Sequence, residues 1–327
     1  MTSPFDDDDY EVEKALRPSA RGLAFDLDQA LNSLVVLHAH VPNDAYTAQT
    51  LGAERLGNGI VIGTNGLVLT IGYLITEAEE VTLLTNDGRV IPAHVLGYDQ
   101  VTGFGLVHAL EPLNLPALPL GDSRRLQTDD PIIMAGAGGV AHALAGRVLA
   151  RQPFAGYWEY LLDAAIFTGP GHPHWNGAAL IGPSGALMGV GSLQMQQETA
   201  DGRPSIINMS VPIELLPPIL DDLSKGLRVH PPRPWLGLLS HDTGSNVVVM
   251  DVSEGGPADR AEMRQGDVIL AVAGHPVTNL ADFYTKLWEL GPAGVTAPLR
   301  VKREGDVFDL EVRTDDRASR LKKRRFN

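Results

Sequence analysis

The sequence predicts a mainly β protein, built from two β-barrels and a smaller third domain. Three observations predict this class: many short apolar runs at close spacing, glycine-rich turns between the runs, and little helical periodicity before residue 212. The chain has 35 glycines and 23 prolines among its 327 residues, which is typical of a fold with many turns. At about 100–200 residues per domain, this length suits two or three domains.

The first series of predicted strands lies within residues 31–122. Apolar residues alternate from Val35 to Val41, and this period of two predicts a strand. Asn65-Gly66 separates two apolar runs, and Asn86-Asp87-Gly88 separates two more. Because such turn sequences are strong short-range signals for a hairpin, we expect an N-terminal β-barrel here.

A second series of similar runs begins at Pro131 and predicts a C-terminal β-barrel over residues 123–224. Pro212 precedes a helical pattern from Ile213 to Leu223, and proline is favoured in the first turn of a helix. We interpret the proline-rich stretch that follows, within residues 225–233, as a stiff linker.

Residues 234–314 predict a third, compact domain that is rich in β-strands. Apolar runs at Val247–Val252 and Val268–Val272 are bounded by turn residues, as expected for strands. The apolar spacing of Leu280–Leu290 indicates a helix.

The two ends of the chain carry opposite charge. Residues 1–30 include the acidic run Asp6–Asp9, whereas residues 315–327 hold six lysines and arginines between Arg317 and Arg325. We expect a disordered acidic segment at the start and a solvated basic tail at the end. For the basic tail, pairing with another tail or subunit, or a weak contact with nucleic acid or an acidic surface, stays open.

Charge and composition exclude several functions. The chain has 26 Lys and Arg against 40 Asp and Glu, a net charge of −14, and nucleic acid would repel such a body. The absence of cysteine excludes disulfides, thiolate metal sites and cysteine nucleophiles.

No apolar run reaches the roughly 20 residues of a membrane helix, and the acidic start lacks the basic region of a signal peptide. We expect a cytoplasmic protein, or a periplasmic one if a signal peptide was removed.

Six short runs occur in an order and spacing that resemble the HtrA (Deg) family, in which a chymotrypsin-like double six-stranded β-barrel protease precedes a PDZ domain. The resemblance implies a trypsin-like serine protease fold, a role in protein quality control, and no cofactor or metal. It also implies oligomers, as a homo-trimer or in a complex with an active paralogue. The matching runs are Gly57–Ile62, Gly66–Thr70, Asn86–Arg89, Leu118–Asp122, Leu162–Ile166 and Gly185–Gly189.

The resemblance places the family's catalytic triad on three residues of other types. In the stretch Leu69–Leu74, Tyr73 stands where the family has histidine, Gly103 replaces the aspartate, and Asn176 replaces the serine. Tyrosine, with a reference pKa near ~10, is a poor base at neutral pH. Glycine offers no charge, and an amide is not a useful nucleophile.

We therefore interpret the chain as a degenerate pseudoprotease, an inactive HtrA-like homologue that acts as a scaffold or regulatory subunit. The alternative is an active serine endopeptidase of protein quality control whose catalytic site has been rearranged.

His172 and His174 lie beside the position of the family's nucleophile, but a single His-x-His pair is weak evidence for a metal, so we favour loop histidines that cap backbone groups. Ser184 fits a turn better than a relocated nucleophile. Whether four aromatic residues line a residual cleft or pack in a core stays open: Tyr157, Trp158, Tyr160 and Trp175.

The run Arg233–Leu238 (Arg-Pro-Trp-Leu-Gly-Leu) is similar to the loop that precedes the ligand-binding strand of HtrA-type PDZ domains. Backbone N–H groups of such a loop can hold a terminal carboxylate while the peptide adds as a strand to the sheet edge. The resemblance implies that protein C-termini or unfolded segments are the partners. The helix face of Phe283 and Leu287 is either part of this pocket or part of the core. The predicted peptide-binding residues are Trp235, Leu236, Gly237, Leu238, Phe283 and Leu287.

Overall fold

The computed structural model of the protein describes residues 11–198, 202–244 and 246–322. The chain divides into two compact units, and a short insertion from the first half of the chain is counted with the second unit. The first unit runs as far as Gln152 and includes Ala164–Val229 and Lys322, and the second comprises Pro153–Asp163 and His230–Leu321.

The first unit begins with a closed barrel of six antiparallel strands, in the order β1-β2-β3-β6-β5-β4. The predicted hairpin turns at Asn65-Gly66 and Asn86–Gly88 connect β2 to β3 and β4 to β5. Along β1, Leu37 and Ala39 are buried, as the period of two requires. The strands are β1 (Leu34–His40), β2 (Glu54–Val61), β3 (Leu67–Ile71), β4 (Glu80–Leu84), β5 (Val90–Tyr98) and β6 (Phe104–Ala109), with short helices α1 (Leu27–Leu31), α2 (Ala48–Leu51) and α3 (Gly72–Ile75).

A second closed barrel of six strands follows, in the order β10-β11-β12-β9-β8-β7. Its buried cluster includes Met134, Ile166 and Leu180. The two barrels confirm the mainly β class expected from the spacing of apolar runs. The strands are β7 (Pro131–Ala135), β8 (Ala143–Gly156), β9 (Tyr160–Gly169), β10 (Ala179–Ile181), β11 (Leu187–Glu198) and β12 (Pro204–Pro212).

The single helix predicted from Ile213 to Leu223 is wrong. The structure has a 3-10 turn at Ile213–Leu215 and a separate helix α4 at Leu220–Ser224. The cause is the Pro217-Pro218 pair, because proline donates no backbone N–H and disfavours helical geometry in the residue before it.

The second unit is built on one sheet in the order β13-β14-β15-β17-β18, with β16 paired to β15. Strand β13 lies at an edge of this sheet. The predicted helix is confirmed at α6, where the Asn279 side chain accepts the N–H of Asp282 at 2.9 Å and caps the first turn. The elements are β13 (Leu238–Asp242), β14 (Val247–Val252), α5 (Pro257–Arg260), β15 (Val268–Val272), β16 (His275–Pro276), α6 (Leu280–Glu289), β17 (Thr296–Arg303) and β18 (Asp306–Arg313).

The interpretation of residues 1–30 as disordered does not hold for residues 11–30. Val12 is 1% exposed and its N–H donates to the carbonyl of Ala141 at 2.8 Å, while α1 buries Leu27 and Leu31. These apolar side chains, rather than the charges around them, decide the local structure.

Part of the basic tail is also structured. A 3-10 turn at Arg317–Arg320 is followed by contacts from the Arg320 guanidinium to the carbonyls of Glu254, at 2.6 Å, and Gly255, at 3.2 Å. The acidic run Asp6–Asp9 and the end of the basic tail lie outside the described residues. Among the described residues, no helix has the length and apolar character needed to cross a membrane.

Candidate functional site

The positions of Tyr73 and Gly103 are brought together by the backbone of the first unit. Helix α3 begins at Gly72, whose N–H donates to the carbonyl of Gly103 at 2.7 Å. The buried guanidinium of Arg55 donates to the carbonyl of Tyr73 at 2.6 Å. Tyr73 is therefore the second residue of this short helix, and the carbonyl of Gly103 bonds to the first.

The position of Asn176 lies close to this helix. The Asn176 amide donates to the carbonyl of Leu56 at 2.5 Å, and the ring of the preceding Trp175 lies 6.4 Å from the ring of Tyr73. The Tyr73 hydroxyl donates to the carbonyl of Ser192 at 3.2 Å. The three predicted triad positions thus share one region of the first unit, and the polar side chains at two of them bond to the backbone.

The Tyr73 phenol is held in its protonated form. Burial raises the pKa of Tyr73 well above its ordinary value, because a phenolate is poorly solvated away from water. Its hydroxyl is a donor to a carbonyl, so it does not serve as a proton acceptor at neutral pH.

No side chain is available at Gly103, which has a φ of +85°, a region that favours glycine. The carboxylate closest in sequence belongs to the buried Asp99, and it accepts the N–H of Thr102 at 2.8 Å. Asp99 therefore stabilises its own turn, as Asx residues commonly do.

His172 is a fully buried histidine whose ring bonds to the backbone on both nitrogens. Nδ1 accepts the N–H of His174 at 3.0 Å, and Nε2 donates to the carbonyl of His142 at 3.0 Å. The backbone N–H of His172 donates to the Asn208 side chain at 2.6 Å. Burial lowers the pKa of His172 to about 4, so the ring is neutral at pH 7. This is the geometry of a histidine that caps backbone groups. Among the described residues, no group of three or more His, Asp or Glu has the arrangement of a metal site.

Ser184 lies exposed within the turn from Gly182 to Ala186, where the Gly182 N–H donates to the Ala186 carbonyl at 2.9 Å. The four aromatic residues are divided between the two units, since Trp175 belongs to the first and Tyr157, Trp158 and Tyr160 to the second.

In the second unit, the predicted carboxylate-binding loop holds a carboxylate of the same chain. The N–H of Leu236 donates to both Glu159 oxygens at 3.1 Å, that of Gly237 donates at 2.8 Å, and that of Leu238 at 3.1 Å. Gly237 has a φ of +79°, which lets three successive N–H groups converge on one anion.

Glu159 is only 5% exposed. Burial raises the pKa of Glu159 to about 7, against the opposing effect of the loop N–H groups and the charge of Arg317. The Tyr284 hydroxyl accepts the N–H of Glu159 at 3.2 Å and donates to the carbonyl of Gly156 at 2.9 Å. The segment on which Glu159 lies is therefore bonded to α6 as well as to the loop.

Sequence reasoning missed Glu159. A single glutamate between aromatic residues at a hairpin tip is an ordinary surface feature, and its partners lie 77 to 79 residues further along the chain. Of the predicted peptide-contact residues, Leu236, Gly237 and Leu238 donate to Glu159 through their backbone. The side chains of four predicted residues belong to the buried core of the second unit: Leu236, Leu238, Phe283 and Leu287.

The fold and these sites define the class of protein. The trypsin-like peptidase domain family matches residues 57–190, and the PDZ domain family matches residues 234–314. The chain therefore has a trypsin-like serine protease fold joined to a PDZ domain, and it is similar to periplasmic serine endoproteases.

Two curated relatives illustrate the similarity. A probable periplasmic serine endoprotease DegP-like from Pseudomonas putida (strain W619) is 28% identical over 280 residues, which cover 80% of this chain and 56% of the relative. The serine endoprotease DegS from Escherichia coli (strain K12) is 25% identical over 287 residues, covering 80% of this chain and 77% of DegS. The chain thus spans little more than half the length of the Pseudomonas relative.

Solved structures show the same fold. The serine endoprotease from Yersinia pestis superposes with a TM-score of 0.52 at 22% identity, covering 89% of this chain and 98% of that one. The HtrA-type protease AlgW with a decapeptide gives a TM-score of 0.53 at 20% identity, covering 89% and 97%.

Proposed function

We propose that this chain is a catalytically inactive HtrA-like protease homologue, which binds protein C-termini or unfolded segments through its PDZ domain as a scaffold or regulatory subunit. One observation carries the loss of activity. At the three triad positions the chain has Tyr73, Gly103 and Asn176, and the polar groups present there are bonded to the backbone.

The chemistry of acyl transfer requires three functions in sequence. A hydroxyl attacks the carbonyl, an imidazole takes its proton, and a buried carboxylate orients the imidazole. Asn176 offers an amide that donates to a carbonyl, Tyr73 keeps its proton, and Gly103 has no side chain. None of the three functions is supplied by these positions.

The backbone donors that would stabilise the transition state, the oxyanion hole, are altered as well. In the trypsin-like mechanism, the developing oxyanion is bound by the N–H of the nucleophile residue and by the N–H two residues before it. Counted from Asn176, the second donor is the N–H of His174, and it donates to Nδ1 of His172. An oxyanion at this place would lose a donor, and one such donor is worth about 10²–10³ in rate.

The binding function is supported by the loop Trp235–Leu238 and the edge strand β13. Converging N–H groups and the edge strand of a sheet are the two features to which a peptide with a free C-terminus bonds. The solved relative AlgW with a decapeptide is consistent with this role. The trimer, or the complex with an active paralogue, is part of the same proposal.

The test of inactivity uses a serine-reactive fluorophosphonate probe and cleavage of casein, with an active trypsin-like protease in parallel. We expect the wild-type chain to show neither labelling nor cleavage. Asn176→Ser alone should also show neither, because Tyr73 cannot accept the proton and His174 keeps its bond to His172. Labelling or cleavage by the wild-type chain would instead establish the alternative, an active endopeptidase with a rearranged site.

A further inference from the structure

The PDZ groove of this chain is filled by the tip of its own β8–β9 hairpin. Residues Pro153–Asp163 are counted with the second unit, and Ala155 and Leu161 pack against its hydrophobic core. The tip supplies a carboxylate to the loop and a backbone carbonyl to the edge strand, which are two of the places where a PDZ ligand bonds.

The carboxylate is that of Glu159, and it uses the N–H groups that a peptide's terminal carboxylate would need. Four donor contacts from Leu236, Gly237 and Leu238 reach it at 2.8–3.1 Å. Because each N–H has one proton to donate, a second carboxylate cannot bind there at the same time.

The backbone of the tip also adds to the sheet edge. The N–H of Ser240, on the edge strand β13, donates to the carbonyl of Tyr157 at 2.9 Å. The contact lies two residues before Glu159 on the tip and two residues after Leu238 on the strand. The segment Tyr157–Glu159, which forms the turn between β8 and β9, therefore bonds to both the loop and the edge strand, the two places where the end of a bound peptide bonds.

A side chain has to supply the carboxylate because the chain continues into β9 at Tyr160. Glu159 has a φ of +60°, an uncommon conformation for a residue other than glycine. This backbone turns the chain away from the groove while the side chain stays in the loop. The Tyr284 hydroxyl bonds both to the N–H of Glu159 and to the carbonyl of Gly156, and so holds the turn at each end.

We infer that the segment Tyr157–Glu159 is an internal ligand of the PDZ groove, with Glu159 in place of a C-terminal carboxylate, and that an external polypeptide with a free C-terminus binds by displacing it. The inference rests on the proposed peptide-binding function and adds its regulation. The partner class is a polypeptide with a free C-terminal carboxylate. An amidated C-terminus has no carboxylate to bind the N–H groups of the loop.

The experiment compares the full-length wild-type chain with Glu159→Gln and Glu159→Ala. The glutamine keeps the shape of the side chain but removes its charge, whereas the alanine also removes the atoms that contact the loop N–H groups. Glu311→Gln is the control, because Glu311 is an exposed carboxylate on β18 of the same unit. The probe is a fluorescein-labelled decapeptide library with its last three positions randomised, used as the free acid and as the amide.

Binding is measured by fluorescence anisotropy. We expect the free-acid library to bind Glu159→Ala at least about 10-fold more tightly than the wild type or the control, as for a groove open about one-tenth of the time. Glu159→Gln should bind the library like the wild type, because its neutral side chain still accepts from the loop N–H groups. The amide library should bind all four proteins equally weakly. Equal affinity of the free acid for all four would overturn the internal ligand and leave the proposed peptide binding intact. Absence of binding to every protein would overturn both.

Amide hydrogen exchange gives a second readout that needs no peptide. The N–H groups of Leu236, Gly237 and Leu238 should exchange slowly in the wild type, quickly in Glu159→Ala, and slowly again when the free-acid library is added to that variant. Equally fast exchange of these amides in wild type and Glu159→Ala would show that the contact is absent and would overturn the inference.

Discussion

His174 donates its backbone N–H to Nδ1 of His172 across 3.0 Å. This bond requires Nδ1 to be unprotonated, and the opposite nitrogen is fixed as a donor by the carbonyl of His142. One buried neutral ring therefore sets the conformation of the loop that leads to Asn176.

The first prediction concerns acid stability. Burial lowers the pKa of His172 to about 4 in the folded chain, against about 6.5 in the unfolded one. The stability that the neutral ring contributes is fully present above pH 6.5 and is lost as the pH falls towards 4, by about 3 kcal/mol in all. Urea unfolding of the first unit at pH 7, 5 and 4 measures it.

The matched variants are His172→Gln and His94→Gln, since His94 is an exposed histidine on β5 of the same unit. The pH dependence should become shallower in His172→Gln and remain unchanged in His94→Gln. An equal slope in all three proteins would contradict the assignment of His172 as a buried neutral base.

A second prediction concerns the backbone next to Asn176. A Cβ on Gly177 would lie 2.2 Å from the carbonyl oxygen of Asn58, whereas a Cβ on Gly88 would meet nothing within 4 Å. Both glycines have a positive φ, +77° and +86°, so both alanine variants incur the conformational cost. Gly88→Ala should lower the free energy of unfolding by about 1 kcal/mol, and Gly177→Ala by more than about 3 kcal/mol. Similar losses in the two variants would contradict the close approach.

A third prediction concerns the ion pair between Asp267 and Arg303. The carboxylate is fully buried, and the guanidinium meets it with two bonds, Nε to Oδ1 at 2.6 Å and Nη2 to Oδ2 at 2.7 Å. Asp267→Ala leaves the partly buried Arg303 without its partner and should destabilise the second unit by about 3 kcal/mol.

The exposed pair of Asp309 and Arg300 is the control for this effect. Asp309→Ala should cost much less than Asp267→Ala, because water and salt screen an exposed pair. Thermal unfolding of the two variants measures the difference, and equal costs would contradict the importance of burial.

A fourth prediction concerns the pH dependence of the internal ligand. Glu159 has a pKa of about 7 when it lies in the loop and an ordinary value near 4.5 when it is free, so the docked state binds more protons. The contact is then strongest below about pH 4.5, weakens as the pH rises towards 7, and is constant above it. The groups facing Glu159 are the Tyr284 hydroxyl, whose pKa burial raises, and the positive charge of Arg317.

The protection of the Leu236–Leu238 amides, corrected for intrinsic exchange, measures this contact. Protection should fall by up to about 10-fold per pH unit between pH 5 and 7 in the wild type and should not change in Glu159→Gln. A rise in protection with pH, or an equal trend in both proteins, would contradict the prediction.

The sequence predicted elements whose causes are local. The Asn65-Gly66 turn, the alternation in β1 and the apolar spacing of α6 each depend on a few neighbouring residues. Local reasoning fails at Ile213–Leu223, because the Pro217-Pro218 pair interrupts the apolar period there.

The parts of the site that escaped prediction depend on distant partners. A backbone-capping role was expected for His172, but not its partners His142 and Asn208, which lie 30 and 36 residues away. Glu159 and its loop are separated still further along the chain. Residue types and spacing indicated a loop suited to a carboxylate, but only the three-dimensional structure shows which carboxylate lies there.

The hairpin tip is joined to the chain through β8 and β9, so Glu159 cannot diffuse away when it leaves the loop. A ligand on a short link competes at an effective concentration in the millimolar range. The effective concentration of Glu159 at the loop does not depend on the protein concentration, so dilution does not relieve its competition with a peptide. On the proposed function, the internal ligand would lower the affinity of every external C-terminus by the same factor, so that only tight or multivalent partners stay bound at low concentration.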